Sequence, residues 1–437
     1  MRKFKDILTI GFALFAMFFG AGNLLLPPYI GLQIGTHIWT TILAFGLSGI
    51  LLPFTGVLAV TNSGENFNDL GHRVNKTLAV VLGTVIMICI GPLIAIPRTA
   101  ATTFEVGILP TFPQSSPRWT SLIFFIAVWC FAIVPRKVVD IVGTILTPLL
   151  LIILTFLIIK GIVSPIAPPV TESLTTGQSF TLGFTEGYQT LDVLASVVFA
   201  GIIIASAKAK GYTSLKEKNK VVIAAGILAA SCLLFIYGGL IYLGASSGVE
   251  SVTISRSELL LSISHRIFGT YGTLAINVCI TLACLTTAIA LTSAVGTYFS
   301  GITNGRLGYK LLVTLCCLLS GVLSVIGVDN IIKFAYPPLA FVYPIVITLV
   351  LYIVIFGHWV KSKGPYIAAI SASTIVAAIN LLKILGLLEE SQLTILNKIP
   401  LFKYELGWVL PSILFFGVAL LINRQNGKLA GRESHNG

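Results

Sequence analysis

Apolar residues come in runs of about twenty along almost the whole chain, separated by short polar stretches. Roughly that many are needed for a helix to cross about 30 Å of hydrocarbon. Twelve such segments can be drawn, at 7–34, 38–60, 77–106, 120–134, 137–160, 180–207, 219–244, 267–300, 309–327, 330–357, 364–384 and 404–422. The pattern predicts an all-α polytopic membrane protein with twelve transmembrane helices. The fourth segment is short enough to be tilted or partly re-entrant, and the longest have length to spare for tilt.

Two segments interrupt themselves. Leu14 to Pro28 opens as a lipid-compatible helix and then meets Gly20, Gly22, Asn23 and Pro27-Pro28. Irregular backbone survives at membrane depth only where protein buries it or where it lines a cavity. A kink without a ligand is the plainer reading, since Gly and Pro are frequent in transmembrane helices. The second interruption lies in the sixth segment, where Glu186, Gly187, Tyr188, Gln189, Thr190 and Asp192 stand in an otherwise apolar run. Paired interruptions at matching positions point to the binding site of a transporter built from inverted repeats. A shift of five segments separates them, and an odd repeat length requires the second half to be inverted. The expected organisation is a first repeat over 1–160, an extracellular linker over 161–179 and a second repeat over 180–357. A peripheral pair of helices over 358–422 and a polar cytoplasmic tail over 423–437 follow. The loop at 245–266, within the second repeat, reads as either a cap over a vestibule or a plain tether.

Composition agrees with the pattern: 56% of the 437 residues are apolar and 10% charged, against about 25% charged in an ordinary soluble domain. The net charge of +12 could suggest nucleic acid, but the basic residues sit in short loops. With the N-terminus cytoplasmic, 19 of the 28 lysines and arginines fall on the inner side and 8 on the outer. That asymmetry predicts that both termini are cytoplasmic. The seven cysteines show no metal spacing and read as small buried hydrophobes. No cleavable signal peptide is expected at the N-terminus.

Three further intramembrane groups stand out. Arg98 lies between Pro92, Pro97 and Thr99. It needs a carboxylate or exposed carbonyls, and suits a gate or charge pair with Glu186 or Asp192, or snorkelling to the headgroups. Thr286 and Thr287 are adjacent hydroxyls with Ala283 one turn back. Uncharged oxygens of this kind can bind a sodium ion weakly enough to release it, or they can simply bond their own helix. Tyr188, Gln189 and Thr190 suit a small zwitterion or bonding between helices.

The stretches Phe-Phe-Gly-Ala-Gly-Asn-Leu-Leu-Leu-Pro-Pro at 18–28, Gly-Pro-Leu-Ile-Ala-Ile-Pro-Arg-Thr at 91–99 and Tyr-Gln-Thr-Leu-Asp at 188–192 resemble the bacterial branched-chain amino acid:cation symporters. The resemblance covers essentially the whole chain. It implies the leucine-transporter-like 5+5 inverted repeat with helices 1 and 6 discontinuous, and location in the bacterial cell membrane. It also implies a sodium site from the carbonyls of Ala16, Phe19 and Ala283 with the hydroxyls of Thr286 and Thr287. Substrate would lie against Phe18, Phe19, Gly20, Ala21, Gly22 and Asn23 on one side and Tyr188, Gln189 and Thr190 on the other. Span six lacks the glycine-rich break of the best-known member of that fold.

The expected activity is Na⁺-coupled import of leucine, isoleucine and valine by alternating access, with Na⁺ as coupling ion and no other cofactor. The expected partners are the small-molecule substrate, Na⁺ and the lipid bilayer, with neither nucleic acid nor an obligate protein partner. A proton-coupled carrier of the same fold, titrating Asp192 or Glu186, is the alternative. No nucleophile and base converge in the sequence, so an enzyme is not expected.

Overall fold

The structure, a computed structural model, describes residues 2–64, 69, 76–134, 144, 147–169, 174–249, 254–402 and 406–433. The start of the fifth segment near 137 and parts of the loops at 161–179 and 245–266 lie outside the described residues, as does 434–437. The described residues contain helices and no β-strand.

The chain begins with α1 (Arg2–Phe18) and α2 (Ala21–Ile34), whose axes are bent by 65°. Then come α3 (Ile38–Ser63), α4 (Val80–Ile108), α5 (Pro117–Ala132) and α6 (Thr147–Val163). Next are α7 (Thr176–Tyr188), α8 (Asp192–Ala209), α9 (Leu215–Ala245) and α10 (Arg256–Ile302). The remainder is α11 (Tyr309–Ser324), α12 (Val328–Phe356), α13 (Gly364–Ile384), α14 (Glu390–Leu396) and α15 (Val409–Glu433). Seven helices are long and apolar enough to cross a membrane, or nine when each of two bent pairs counts as one span. Three shorter apolar helices accompany them among the described residues.

Polar caps mark several helix starts. Thr175 and Gln178 form a reciprocal capping box before α7, and Ser255 and Glu258 form another before α10. Each satisfies orphan amides that the first turn leaves open. The second box starts the helix well before the apolar run, so 256–268 is helical. Gly269, at φ 61°, separates this part from the rest of α10. At the other end of the chain, helix continues past residue 423 to Glu433, through a stretch rich in good helix formers such as Arg, Gln, Lys, Leu and Ala.

α1 and α2 both lie along α9, while α7 and α8 pack on α3. α13 packs between α12 and α15. The α2–α9 contact is unusually close: a side chain on Gly244 would collide with the Pro28 carbonyl. Small residues permit this backbone-to-backbone approach, which supplies van der Waals contact where lipid offers no hydrophobic drive. The innermost side chains, including Phe15, Phe19, Leu24, Phe199 and Tyr237, come from α1, the α1–α2 junction, α2, α8 and α9.

Candidate functional site

Helical bonding lapses at the centre of this bundle in two places. Between α1 and α2, Gly20 is extended (φ −105°, ψ −166°) and its amide donates to the Phe18 carbonyl at 2.8 Å. Between α7 and α8, Leu191 takes a left-handed conformation (φ 68°, ψ 7°). That region is uncommon for a residue with a bulky side chain and carries a cost of order 1–3 kcal/mol. The turn is held by the Leu191 amide on the Tyr188 carbonyl (3.1 Å) and the Thr190 hydroxyl on the Gly187 carbonyl (2.8 Å).

The two lapses are tied together by buried side chains. Asn23, in the first turn of α2, donates through Nδ2 to Oδ2 of Asp192 at 2.6 Å, and the same amide contacts the Tyr237 hydroxyl of α9. Asp192 is the first residue of α8, where the positive end of the helix dipole favours a carboxylate. Its own amide donates to the Thr190 hydroxyl at 3.4 Å. Asn23, Asp192, Thr190 and Tyr237 are all buried.

On the other side of the first lapse, α10 presents its threonine pair. Thr287 Oγ1 donates to the carbonyls of Ala16 (3.1 Å) and Met17 (3.3 Å). Thr286 Oγ1 reaches Ala16 at 3.4 Å and Ala283 of its own helix at 2.9 Å. The carbonyls of Ala16 and Ala283 and the two hydroxyls therefore lie within hydrogen-bond reach of one another. Neither hydroxyl bonds to the Phe19 carbonyl; Met17 stands in that relation instead. Phe19 is fully buried, its ring stacked between Phe15 (5.1 Å) and Tyr237 (6.0 Å). Five uncharged oxygens in one place suit a hard cation. The oxygens stand 2.9–3.4 Å apart as hydrogen-bonded pairs, and an ion held at about 2.3–2.6 Å from its ligands would need them somewhat wider, about 3.3–3.7 Å at right angles.

Arg98 enters from α4, seven residues beyond a break where Gly91 leaves helical geometry (φ −85°, ψ −119°). Pro92 lacks an amide proton, and its carbonyl accepts from Ser320 at 3.4 Å. Arg98 Nη1 donates to the Gln189 carbonyl at 3.4 Å, while Nε has no hydrogen-bond partner among the described residues. Arg98 is 9% exposed and makes no ion pair among the described residues, so a carbonyl of the α7–α8 turn meets its guanidinium. Glu186 pairs elsewhere. Its Oε1 accepts from Gln189 Nε2 at 3.0 Å, and its Oε2 lies 3.7 Å from Arg256 at the start of α10. Arg256 also sits 5.1 Å over the Tyr29 ring.

The predicted substrate residues other than Phe19 and Ala21 divide among three spaces that all touch Arg98. Phe18, Gly20, Asn23 and Thr190 line a cavity of about 20 Å³ between the two lapses, room for about one water. Tyr188 and Gln189 face a cavity of about 300 Å³ beside α12. Gly22 and Gln189 face a third, of about 280 Å³, beneath Arg256. Ala21 opens α2. Sequence reasoning did not single out Tyr237, Met17 or Arg256. Tyr237 sits in an ordinary apolar run, and Met17 contributes only its backbone. A signal for Arg256 did exist, the Ser255–Glu258 capping pattern that places it in a first turn.

A family model described as branched-chain amino acid transport protein matches residues 3–426. The chain belongs to that family. It is 36% identical over 418 residues to the branched-chain amino acid permease BraB of Bacillus subtilis, covering 94% of each chain. Among solved structures it is similar to Mhp1, a nucleobase-cation-symport-1 family transporter in a closed conformation with bromovinylhydantoin bound. The TM-score is 0.58 at 12% identity, over 97% of this chain and 93% of that one. A Na⁺-coupled sialic acid symporter in a substrate-bound outward-open state matches with a TM-score of 0.56 at 13% identity, over 95% and 90%. The fold is thus shared with these transporters. The family and its relatives are transporters, not enzymes, and the chain is a multi-pass membrane protein.

Proposed function

We propose that this protein imports leucine, isoleucine and valine by Na⁺-coupled symport, through alternating access in a twelve-span 5+5 inverted repeat with both termini cytoplasmic. The repeats are 1–160 and 180–357, and the helices over 358–422 are peripheral to them. Family membership supports the substrate class. The single observation that carries the coupling ion is the meeting of Thr286 and Thr287 hydroxyls with the carbonyls of Ala16, Met17 and Ala283. A sodium ion there would exchange hydroxyl–carbonyl bonds for ion–oxygen contacts and fasten α1 to α10. Because α1 also forms one wall of the space between the two lapses, ion and substrate would stabilise the same arrangement, and that coupling is reciprocal. Once this space of about 20 Å³ widens, its apolar wall of Phe18, Ile90 and Phe199 would accept all three aliphatic side chains, since one methylene is worth only about 1–3 kcal/mol.

The buried carboxylate of Asp192, bonded to Asn23 and neighbour to Tyr237, supports a second reading in which protons drive uptake. Labelled leucine uptake into proteoliposomes separates the two. Accumulation under an inward Na⁺ gradient, competed by isoleucine and valine but not by alanine or lysine, is the expected result. Uptake indifferent to Na⁺ and driven by a proton gradient would discard the threonine site.

A further inference from the structure

A groove of about 310 Å³ opens between α6 and α10 and shares no residue with the three spaces around Arg98. Ile152, Phe156 and Leu157 of α6 and Phe268, Ala275 and Ile276 of α10 line it. The break in α10 shapes the recess. Gly269 takes φ 61°, and the chain comes so close to itself that a side chain on Gly272 would meet the Ser264 carbonyl. Phe268 is thereby carried onto Phe156, the two rings stacked at 5.5 Å. Ile152, Phe156 and Tyr271 are exposed, so the groove opens outward, where a membrane-spanning bundle meets the bilayer.

Water suits this groove poorly. A held water needs about two to four polar partners, and the Tyr271 hydroxyl is the only polar side-chain group in the lining. An unfilled recess would forfeit dispersion contact along both walls, which a hydrocarbon chain restores. Charge at one end selects the lipid. Lys160 stands one helical turn beyond Phe156 on the same face of α6, and its ammonium has no hydrogen bond or ion pair among the described residues. Its neighbour Gly161 packs against Ile267. Arg266 lies close by: Nη1 donates to the Ser247 carbonyl at 2.9 Å, and the adjoining Ser246 carbonyl accepts from the Ala167 amide, just past α6, at 3.1 Å. His265 is exposed at the same end. Neither α6 nor α10 after Glu258 contains an Asp or Glu. The rim is basic without a local counter-charge, and an ammonium takes a phosphate oxygen.

We propose that this groove binds one acyl chain of an anionic phospholipid, with the phosphate held by Lys160 beside His265 and Arg266. Bound there, the lipid fills the angle at Gly269 and braces α6 against the helix that carries Thr286 and Thr287.

The test uses the full-length protein in detergent, stripped to its most tightly held lipid. It is titrated with phosphatidylglycerol, or with phosphatidylcholine of identical chains, whose choline neutralises its own phosphate. Native mass spectrometry counts the lipids that survive. One phosphatidylglycerol per chain is expected, with phosphatidylcholine retained at least about tenfold less, as loss of one charged hydrogen bond implies. Lys160→Gln should erase that preference, and Ala275→Trp, which fills the groove from α10, should abolish retention of both lipids. Absence of any retained lipid, equal retention of the two by the unaltered chain, or a preference kept in Lys160→Gln would each overturn the proposal. So would a dimer that carries no lipid, which would mark the groove as an interface between copies. Full retention in Ala275→Trp would place the lipid elsewhere on the surface and sink the proposal too. Lys160→Gln alters one exposed side chain, so its comparison decides the matter even if Ala275→Trp fails to fold.

Discussion

A β-carbon on Gly22 would stand 2.9 Å from Nη2 of Arg98. Glycine at this position is what lets the guanidinium lie against the first turn of α2 and reach across to the α7–α8 turn. Gly22→Ala is therefore expected to displace the Arg98 guanidinium, the far end of a flexible side chain, with little loss of stability. Leucine uptake should fall at least about tenfold while the protein still reaches the membrane. Wild-type uptake by Gly22→Ala would mean that Arg98 has slack at this contact.

Thr287→Ala removes the hydroxyl that meets both Ala16 and Met17. The Na⁺ concentration for half-maximal uptake should rise about tenfold or more, with the leucine-to-valine preference unchanged. Competition assays at several Na⁺ concentrations check both halves. Equal loss of ion dependence and substrate preference would show that ion and substrate contacts are not separate.

Replacing Asp192 separates packing from charge. Asp192→Ala leaves the Asn23 amide without its 2.6 Å acceptor, at a cost of about 1–3 kcal/mol for the stranded group. Asp192→Asn keeps the shape and an oxygen for Asn23, so its thermal stability should exceed that of Asp192→Ala. With sodium as the coupling ion, Asp192→Asn should retain uptake driven by a Na⁺ gradient. Loss of all gradient-driven uptake in a well-folded Asp192→Asn would favour the proton reading.

Leu191 offers a test of backbone strain. Leu191→Met and Leu191→Ile conserve volume, and such swaps usually cost less than about 1.5 kcal/mol. Only isoleucine adds a β-branch at φ 68°, where β-branched residues are least tolerated. The isoleucine variant should therefore melt lower than the methionine variant in detergent. A reversed order would show that side-chain packing, not the dihedral, governs this position.

Arg256 joins the start of α10 to Glu186 at 3.7 Å and to the Tyr29 ring at 5.1 Å. Ion pairs near a surface contribute about 0–1 kcal/mol and cation–π contacts about as much. Arg256→Ala should leave stability within about 2 kcal/mol of wild type. An altered KM for leucine with little change in maximal rate would assign the pair to access rather than to folding; a change in maximal rate alone would argue against that.

Much of the site was legible because polar residues in an apolar run have to be accounted for. Asn23, Arg98, Asp192 and the Thr286–Thr287 pair each stood out for that reason, and the structure gathers them around two adjacent lapses in helical bonding. Backbone contributions were harder to read. Choosing between the carbonyls of Met17 and Phe19 depends on where α1 loses its last turn, and side-chain identity does not encode that. Tyr237 resembled any aromatic in a buried helix, and only the three-dimensional fold aims its hydroxyl at Asn23. Leu191 carried no sign of its left-handed turn because no glycine or asparagine marks it. Asn380 and Trp408 fall in the pair of segments expected to be peripheral, and their place in the lining of the cavity beside α12 follows from how α13 docks on α12.

The collision that any side chain on Gly244 would make with Pro28 has a mechanical reading. At Gly244 backbone meets backbone, which holds α2 and α9 at closer range than side-chain packing would allow. α1 lies along α9 as well, so the bend at Phe19–Gly20 joins two arms that share one partner. The threonine pair of α10 meets the end of the first arm through Ala16 and Met17. A cation at that junction would tie a third helix to the pair and its common support.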